Sequence, residues 1–232
     1  MLPNSLFQLL PIIALDDRRI HIDSRDLDPH SLRRAGRGDG QVCDRLYQRK
    51  QMGRNFGGIS RSRAALRERL ADIHATTGRK VSLVGWSLGG VYARDLALHA
   101  PEMVRYVLTL GSPFANDVRA TNATRLYELL SGETVGDDPE LVEAIAGDLP
   151  MPATSIFSRA DGVVNWRTCL LRPSAAAENI EVYLASHVGL GVNPAVLWAV
   201  ADRLAQHEGH FSQFDRSGPF AIAYAPPERA QS

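Results

Sequence analysis

Gly85-Trp86-Ser87-Leu88-Gly89 sets a serine between two glycines, each two residues away, and Gly90 follows directly. A serine hydroxyl is a weak nucleophile until a neighbouring base takes its proton and a third group orients that base. Two later segments offer the missing partners. Ser158-Arg159-Ala160-Asp161-Gly162 carries a carboxylate 74 residues after Ser87, and Ala185-Ser186-His187 carries an imidazole 26 residues further on. Alone, an Asp before Gly is an ordinary turn former and a loop His is ordinarily solvated. In the order Ser, Asp, His, each just past a β-prone run, they describe nucleophile, orienting acid and base. Asp117 is the reserve candidate for the acid. His74 falls on a helix flank, His99 suits a helix C-terminus, and His21, His30, His207 and His210 lie in the irregular ends.

For these three residues to meet, alternating strands and helices must carry them. Val81–Val84 is a short β-prone run that stops at Gly85, and Val91–His99 has helical spacing, so Ser87 falls on a strand–turn–helix junction. Glycines on both sides remove side chains that would collide across so sharp a turn. The following helix N-terminus favours developing negative charge, with the Leu88 N–H as a donor to it. Val104–Leu110, Thr154–Phe157 and Ile180–Leu184 are further strands. Ser62 is expected to cap a helix that runs to Thr77 and stops at Gly78, and Pro194 opens a last helix through Leu204. Strands and helices alternating at these lengths predict a mostly parallel sheet covered on both faces, an α/β chain with its reactive residues at the carboxyl ends of strands.

Composition bounds the rest. The 232 residues hold 44% hydrophobic side chains, and Lys+Arg 26 balance Asp+Glu 26. No overall field therefore draws nucleic acid or an anionic surface. Two cysteines, Cys43 and Cys169, exclude a disulfide scaffold and a Cys-rich zinc module. No apolar run reaches the ~18 residues of a spanning helix. The apolar stretch Met1–Leu15 lacks a basic start and a small-residue exit, so a cytoplasmic location is expected. Between Asp16 and Lys50, sixteen of thirty-five residues are charged and nine hydrophobic, too few to offset ordering entropy. The expected organisation is an atypical N-terminal segment over 1–51, a core over 52–206 interrupted by an insertion at about 114–152, and a tail over 207–232. The Gly-rich 52–58 stretch is either a flexible turn or a lining of the substrate pocket.

Four blocks in one order, Gly85-Trp86-Ser87-Leu88-Gly89-Gly90, Leu110-Gly111-Ser112-Pro113-Phe114, Ser158-Arg159-Ala160-Asp161-Gly162-Val163-Val164 and Ser186-His187-Val188-Gly189-Leu190, resemble bacterial α/β-hydrolases of the serine esterase/lipase-like type. The resemblance covers about Met52 to Leu204. It implies the α/β-hydrolase fold with a small helical cap, and a carboxylic ester hydrolase using Ser87, Asp161 and His187. It implies a small-molecule ester or lipid-like substrate and neither metal nor organic cofactor. An acyltransferase would use the same triad. A non-catalytic or impaired hydrolase-fold protein is the alternative of a different class. It is motivated by the second oxyanion donor, which the family takes from a His-Gly or Pro-Gly loop after an early strand. No such dipeptide precedes Ser87. The nearest substitute strand, Leu9–Leu15, runs into Asp16-Asp17, whose carboxylates would oppose a forming oxyanion.

Overall fold

A computed structural model describes residues 12–15, 59–115 and 139–227. In chain order the elements are β1 (Ile12–Leu15), α1 (Ile59–Thr77), β2 (Val81–Trp86), α2 (Leu88–His99), β3 (Val104–Leu110), α3 (Pro139–Ala146), β4 (Ala153–Phe157), β5 (Ala177–Glu181) and α4 (Pro194–Ala205). The sheet order is β1-β2-β3-β4-β5. β2 to β5 are parallel, whereas β1 pairs with β2 antiparallel. The expectation of a mostly parallel sheet holds.

Both faces of this sheet are buried, as the near-continuous apolar strand runs require. On one face Val81, Leu83, Val104, Val107 and Ala153 pack with Leu70 and Ile73 of α1, Val91 and Leu96 of α2, and Ile145 of α3. On the other, Val84, Leu108, Leu110, Ile156 and Ile180 pack with Ala195, Val196 and Ala199 of α4. Helices α2 and α3 lie on the same face, as successive right-handed crossovers between neighbouring parallel strands demand. The register slips between Val81 and Ser82, which leaves Arg105 as the extra residue of β3. Its guanidinium donates to the Ser82 hydroxyl at 2.7 and 2.9 Å and to the Leu204 carbonyl at 3.1 Å, tying the bulge to the end of α4.

Local signals account for most element ends. Gly78 adopts φ +65° and donates to the His74 carbonyl, closing α1 where a left-handed residue is needed. α1 begins at Ile59, so Ser62 sits inside its first turn and is not the cap. α4 starts at Pro194 as expected, and its cap is Asn193, whose side chain accepts from the Ala195 N–H at 2.8 Å. The last strand covers Ala177–Glu181, three residues earlier than the apolar run Ile180–Leu184. Leu184 has already left the sheet, with φ +55°. Of the insertion expected at about 114–152, helix α3 is described, while 116–138 lies outside the described residues, as do Asp117, the 52–58 stretch and Cys43.

The sequence past Gln206 carries no periodic signal, yet much of it packs on the core. Phe214 and Tyr224 are buried against the β5 side of the sheet, and Val182 pairs with Tyr224 as an isolated antiparallel bridge. A buried ion cluster fastens this segment. Glu178 on β5 accepts from Arg203 of α4 at 3.0 Å, from Arg216 at 3.2 Å and from the Phe214 N–H at 3.0 Å. Removing one partner of a buried pair leaves the other charge uncompensated. We therefore expect Arg203→Met to cost about 3–5 kcal/mol in a urea titration. A midpoint unchanged from wild type would show that the cluster does not hold the tail.

Candidate active site

The turn after β2 is strained where the motif requires it. Ser87 takes φ 54° and ψ −127°, a region that a residue with a side chain occupies only when its surroundings hold it there. Its N–H donates to the Leu110 carbonyl at the end of β3 at 2.8 Å, and its carbonyl accepts from the Gly90 N–H at 3.0 Å. A methyl group on Gly85 would overlap the Gly89 carbonyl and the Gly90 Cα, and one on Gly90 would overlap the Ser112 side chain. These glycines let the first turn of α2 press against the ends of β2 and β3. Leu88 opens α2, so its N–H has no acceptor within the helix and faces the turn as a donor.

Asp161 follows β4, and His187 lies six residues beyond β5. The structure brings both to Ser87. Asp161 Oδ1 accepts from the backbone N–H groups of Val163 at 2.8 Å and Val164 at 2.9 Å, which fixes the carboxylate. Its other oxygen, Oδ2, lies 2.7 Å from His187 Nδ1, and His187 Nε2 lies 3.0 Å from Ser87 Oγ. A carboxylate only accepts, so Nδ1 carries the proton and Nε2 is free to accept from the Ser87 hydroxyl. The Asp161 and His187 side chains are 2% and 9% exposed, so both bonds lie largely outside solvent. The relay is one continuous chain of hydrogen bonds.

Two other histidines are engaged elsewhere. His74 Nδ1 bonds the Arg79 carbonyl, and His99 Nδ1 bonds the Asp95 carbonyl one turn back at the end of α2. Cys169 is buried in the connection between β4 and β5, where burial first and the Asp161 charge second push its thiol up, so it stays protonated. Among the described residues no group of three or more His, Cys, Asp or Glu comes together as a metal site, and no helix is long and apolar enough to cross a membrane.

The strand named as a substitute for the early donor strand is antiparallel. Leu15 pairs with Ser82 and Ile12 with Gly85, so β1 runs opposite to β2 and its carboxyl end lies at the far end of β2 from Ser87. At ~3.3 Å per residue that separation is about 17 Å. Asp16 and Asp17, which follow Leu15, lie outside the described residues.

Gly111 is a site residue that spacing alone did not reveal. It adopts φ +52° just after β3, and a methyl group there would stand 2.7 Å from Leu190 Cδ1, 3.1 Å from Asp161 Oδ2 and 3.4 Å from His187 Nδ1. Its sequence signal was the Gly-Ser-Pro closing β3, which reads as a turn. What it supplies is empty space beside the carboxylate–imidazole bond.

No family model matches the sequence, and no curated protein sequence matches it. Solved structures do. Lipase B of Aspergillus fumigatus is similar at 17% identity over 66% of this chain, with a TM-score of 0.50, and the chain spans 43% of that protein. Lipase BlEst2 of Bacillus licheniformis is similar at 17% identity over 63% of this chain and 74% of its own, TM-score 0.48. The monoacylglycerol lipase of Paleococcus ferrophilus is similar at 14% identity over 66% and 77%, TM-score 0.45. At these identities the likeness is one of fold, and the fold is that of the α/β-hydrolases.

Gly111→Ala tests how tightly the site is built. The added methyl group meets Leu190 and the left-handed backbone disfavours it, so unfolding free energy should fall by about 1–3 kcal/mol. Denaturation indistinguishable from wild type would mean that the space beside Asp161 is not restricted.

Proposed function

We propose that this chain is a serine hydrolase of carboxylic esters. The supporting observation is the unbroken path from the Asp161 carboxylate through the His187 imidazole to the Ser87 hydroxyl, with each bond between 2.7 and 3.0 Å. His187 Nε2 takes the Ser87 proton as Oγ attacks the ester carbonyl. Asp161 holds the tautomer and stabilises the imidazolium that forms. The tetrahedral oxyanion receives the Leu88 N–H and the positive end of α2. Collapse expels the alcohol, which takes its proton from His187. Water, activated by the same imidazole, then releases the acid from Ser87 and restores the enzyme. An acceptor alcohol in place of water would make the same residues an acyltransferase. Nothing in this sequence of steps calls for a metal or organic cofactor.

A second reading has an observation of its own. β1 runs antiparallel to β2 with its carboxyl end at the far end of β2 from Ser87, and a missing oxyanion donor costs ~10²–10³ in turnover. On that reading the chain is an impaired or non-catalytic hydrolase-fold protein that binds an acyl-like ligand.

A fluorophosphonate probe and a p-nitrophenyl ester separate the two. Wild type should label and turn over the ester, Ser87→Ala should do neither, and Asp161→Asn should lose about 10⁴ in kcat because its imidazole takes the wrong tautomer. Equal labelling of wild type and Ser87→Ala would remove the assignment. Labelling without turnover would favour the second reading.

A further inference from the structure

Trp86 is the last residue of β2, reaches the His187 loop and touches the site without belonging to the relay. Its indole Nε1–H donates to the His187 carbonyl at 3.1 Å, across 101 positions of sequence. The indole lies 5.8 Å from the imidazole, centroid to centroid, tilted by 37°. On its other flank, carbons of the indole approach Gly191, where an added methyl group would sit 3.5–3.6 Å away. The ring is half-buried against the core formed with Val84 and Leu190, so its apolar body is anchored while its one polar atom faces the loop.

The loop leaves one carbonyl for it. Leu190 N–H bonds the Ser186 carbonyl, Gly191 N–H bonds that of Val188, and Val192 and Asn193 N–H groups bond that of Gly189. Within the turn 186–189, carbonyls 186, 188 and 189 are satisfied locally, and that of His187 is bonded by the indole. The residue that carries the imidazole is thus pinned by its own backbone to the residue next to Ser87. Together with the Nε2–Oγ bond this closes a circuit: Ser87, Trp86, the His187 backbone, the His187 ring, and Ser87 again.

We infer that Trp86 is a positioning residue that fixes the imidazole relative to the nucleophile through its indole N–H. This rests on the hydrolase reading for its kinetic consequence but not for its structural one. Asp161 alone orients the ring about one bond, whereas a second anchor on the same residue's carbonyl removes the swing of the backbone that would carry Nε2 out of reach.

Trp86→Phe keeps an aromatic body and deletes the donor. We expect kcat for a p-nitrophenyl ester to fall roughly three- to tenfold, the range of a single lost hydrogen bond, with KM within about twofold of wild type. The downfield proton resonance of His187 Nδ1–H, which reports its bond to Asp161, should shift or broaden. If the phenylalanine variant does not fold, Trp86→Tyr, which also lacks the indole donor, replaces it with the same expectations. A wild-type kcat with an unchanged resonance, or a loss confined to KM or to melting temperature, would overturn the inference. If wild type turns over no ester, the hydrolase reading fails and the resonance alone decides: a shift upholds the positioning role and no shift overturns it. Absence of the resonance from wild type would overturn it as well.

Discussion

The backbone of Ser87 is the constraint on which the rest of the structure converges. A residue with a side chain at φ 54° and ψ −127° costs of order 1–3 kcal/mol, and persists only where neighbours over-determine it. Here the Leu110 carbonyl takes its N–H on the β3 side, and α2 begins at the next residue. Gly85 and Gly90 let strand and helix approach to backbone contact, with Ser112 filling the space behind Gly90. The helix cannot drift, because its body is clamped on both flanks. Arg63 of α1 forks onto Asp95 at 2.8 and 2.9 Å. Arg94 reaches across to the carbonyls of Ile145 and Gly147 at the end of α3 and lies over the Phe114 ring at 4.2 Å. Burial lowers Arg94 to about 10, partly offset by Asp148, so it keeps its charge at neutral pH and serves as a cation at a helix C-terminus.

With Ser87 so fixed, the parallel sheet places its partners. Strands β2, β4 and β5 point the same way, so the chain leaving each of them emerges on one edge. β3 lies between β2 and β4 and contributes no side chain to the relay. What it contributes is Gly111, whose missing side chain leaves room for Asp161 and His187 to meet. The carboxylate is buried and fully used: one oxygen holds two backbone N–H groups of its own loop and the other holds the imidazole. A buried carboxylate without such partners would cost more than the geometry is worth. Loop and relay therefore stabilise each other.

Much of this was legible in residue order because the chemistry and the fold impose the same punctuation. A serine between glycines after a short apolar run fixes the elbow, and Asp161 and His187 are recognisable because both fall just past strands. What stayed hidden was non-local. Gly111 reads as a turn glycine, and its role depends on two loops 50 and 76 residues later in the chain. Asn193 as the cap of α4 and the early start of α1 are choices the chain makes among equivalent polar residues. The segment after Gln206 shows no period because Phe214 and Tyr224 reach the core from irregular backbone, held by Glu178 and its two arginines. The direction of β1 is likewise invisible in four apolar residues, since a run of one residue class carries no sense of direction.

That direction bears on how the oxyanion would be met. β1 is antiparallel to β2, so its amino end, Ile12, lies beside Gly85 and its carboxyl end, Leu15, beside Ser82. Donors must point at the developing charge from about 3 Å, and Ile12 rather than Leu15 is the end of β1 nearer the elbow. The Leu88 N–H at the start of α2 and the positive end of that helix's dipole lie at the same turn as Ser87. The backbone tie from Trp86 to the His187 carbonyl fastens the imidazole's own residue to that same turn, so elbow and imidazole are held from the backbone as well as through Oγ.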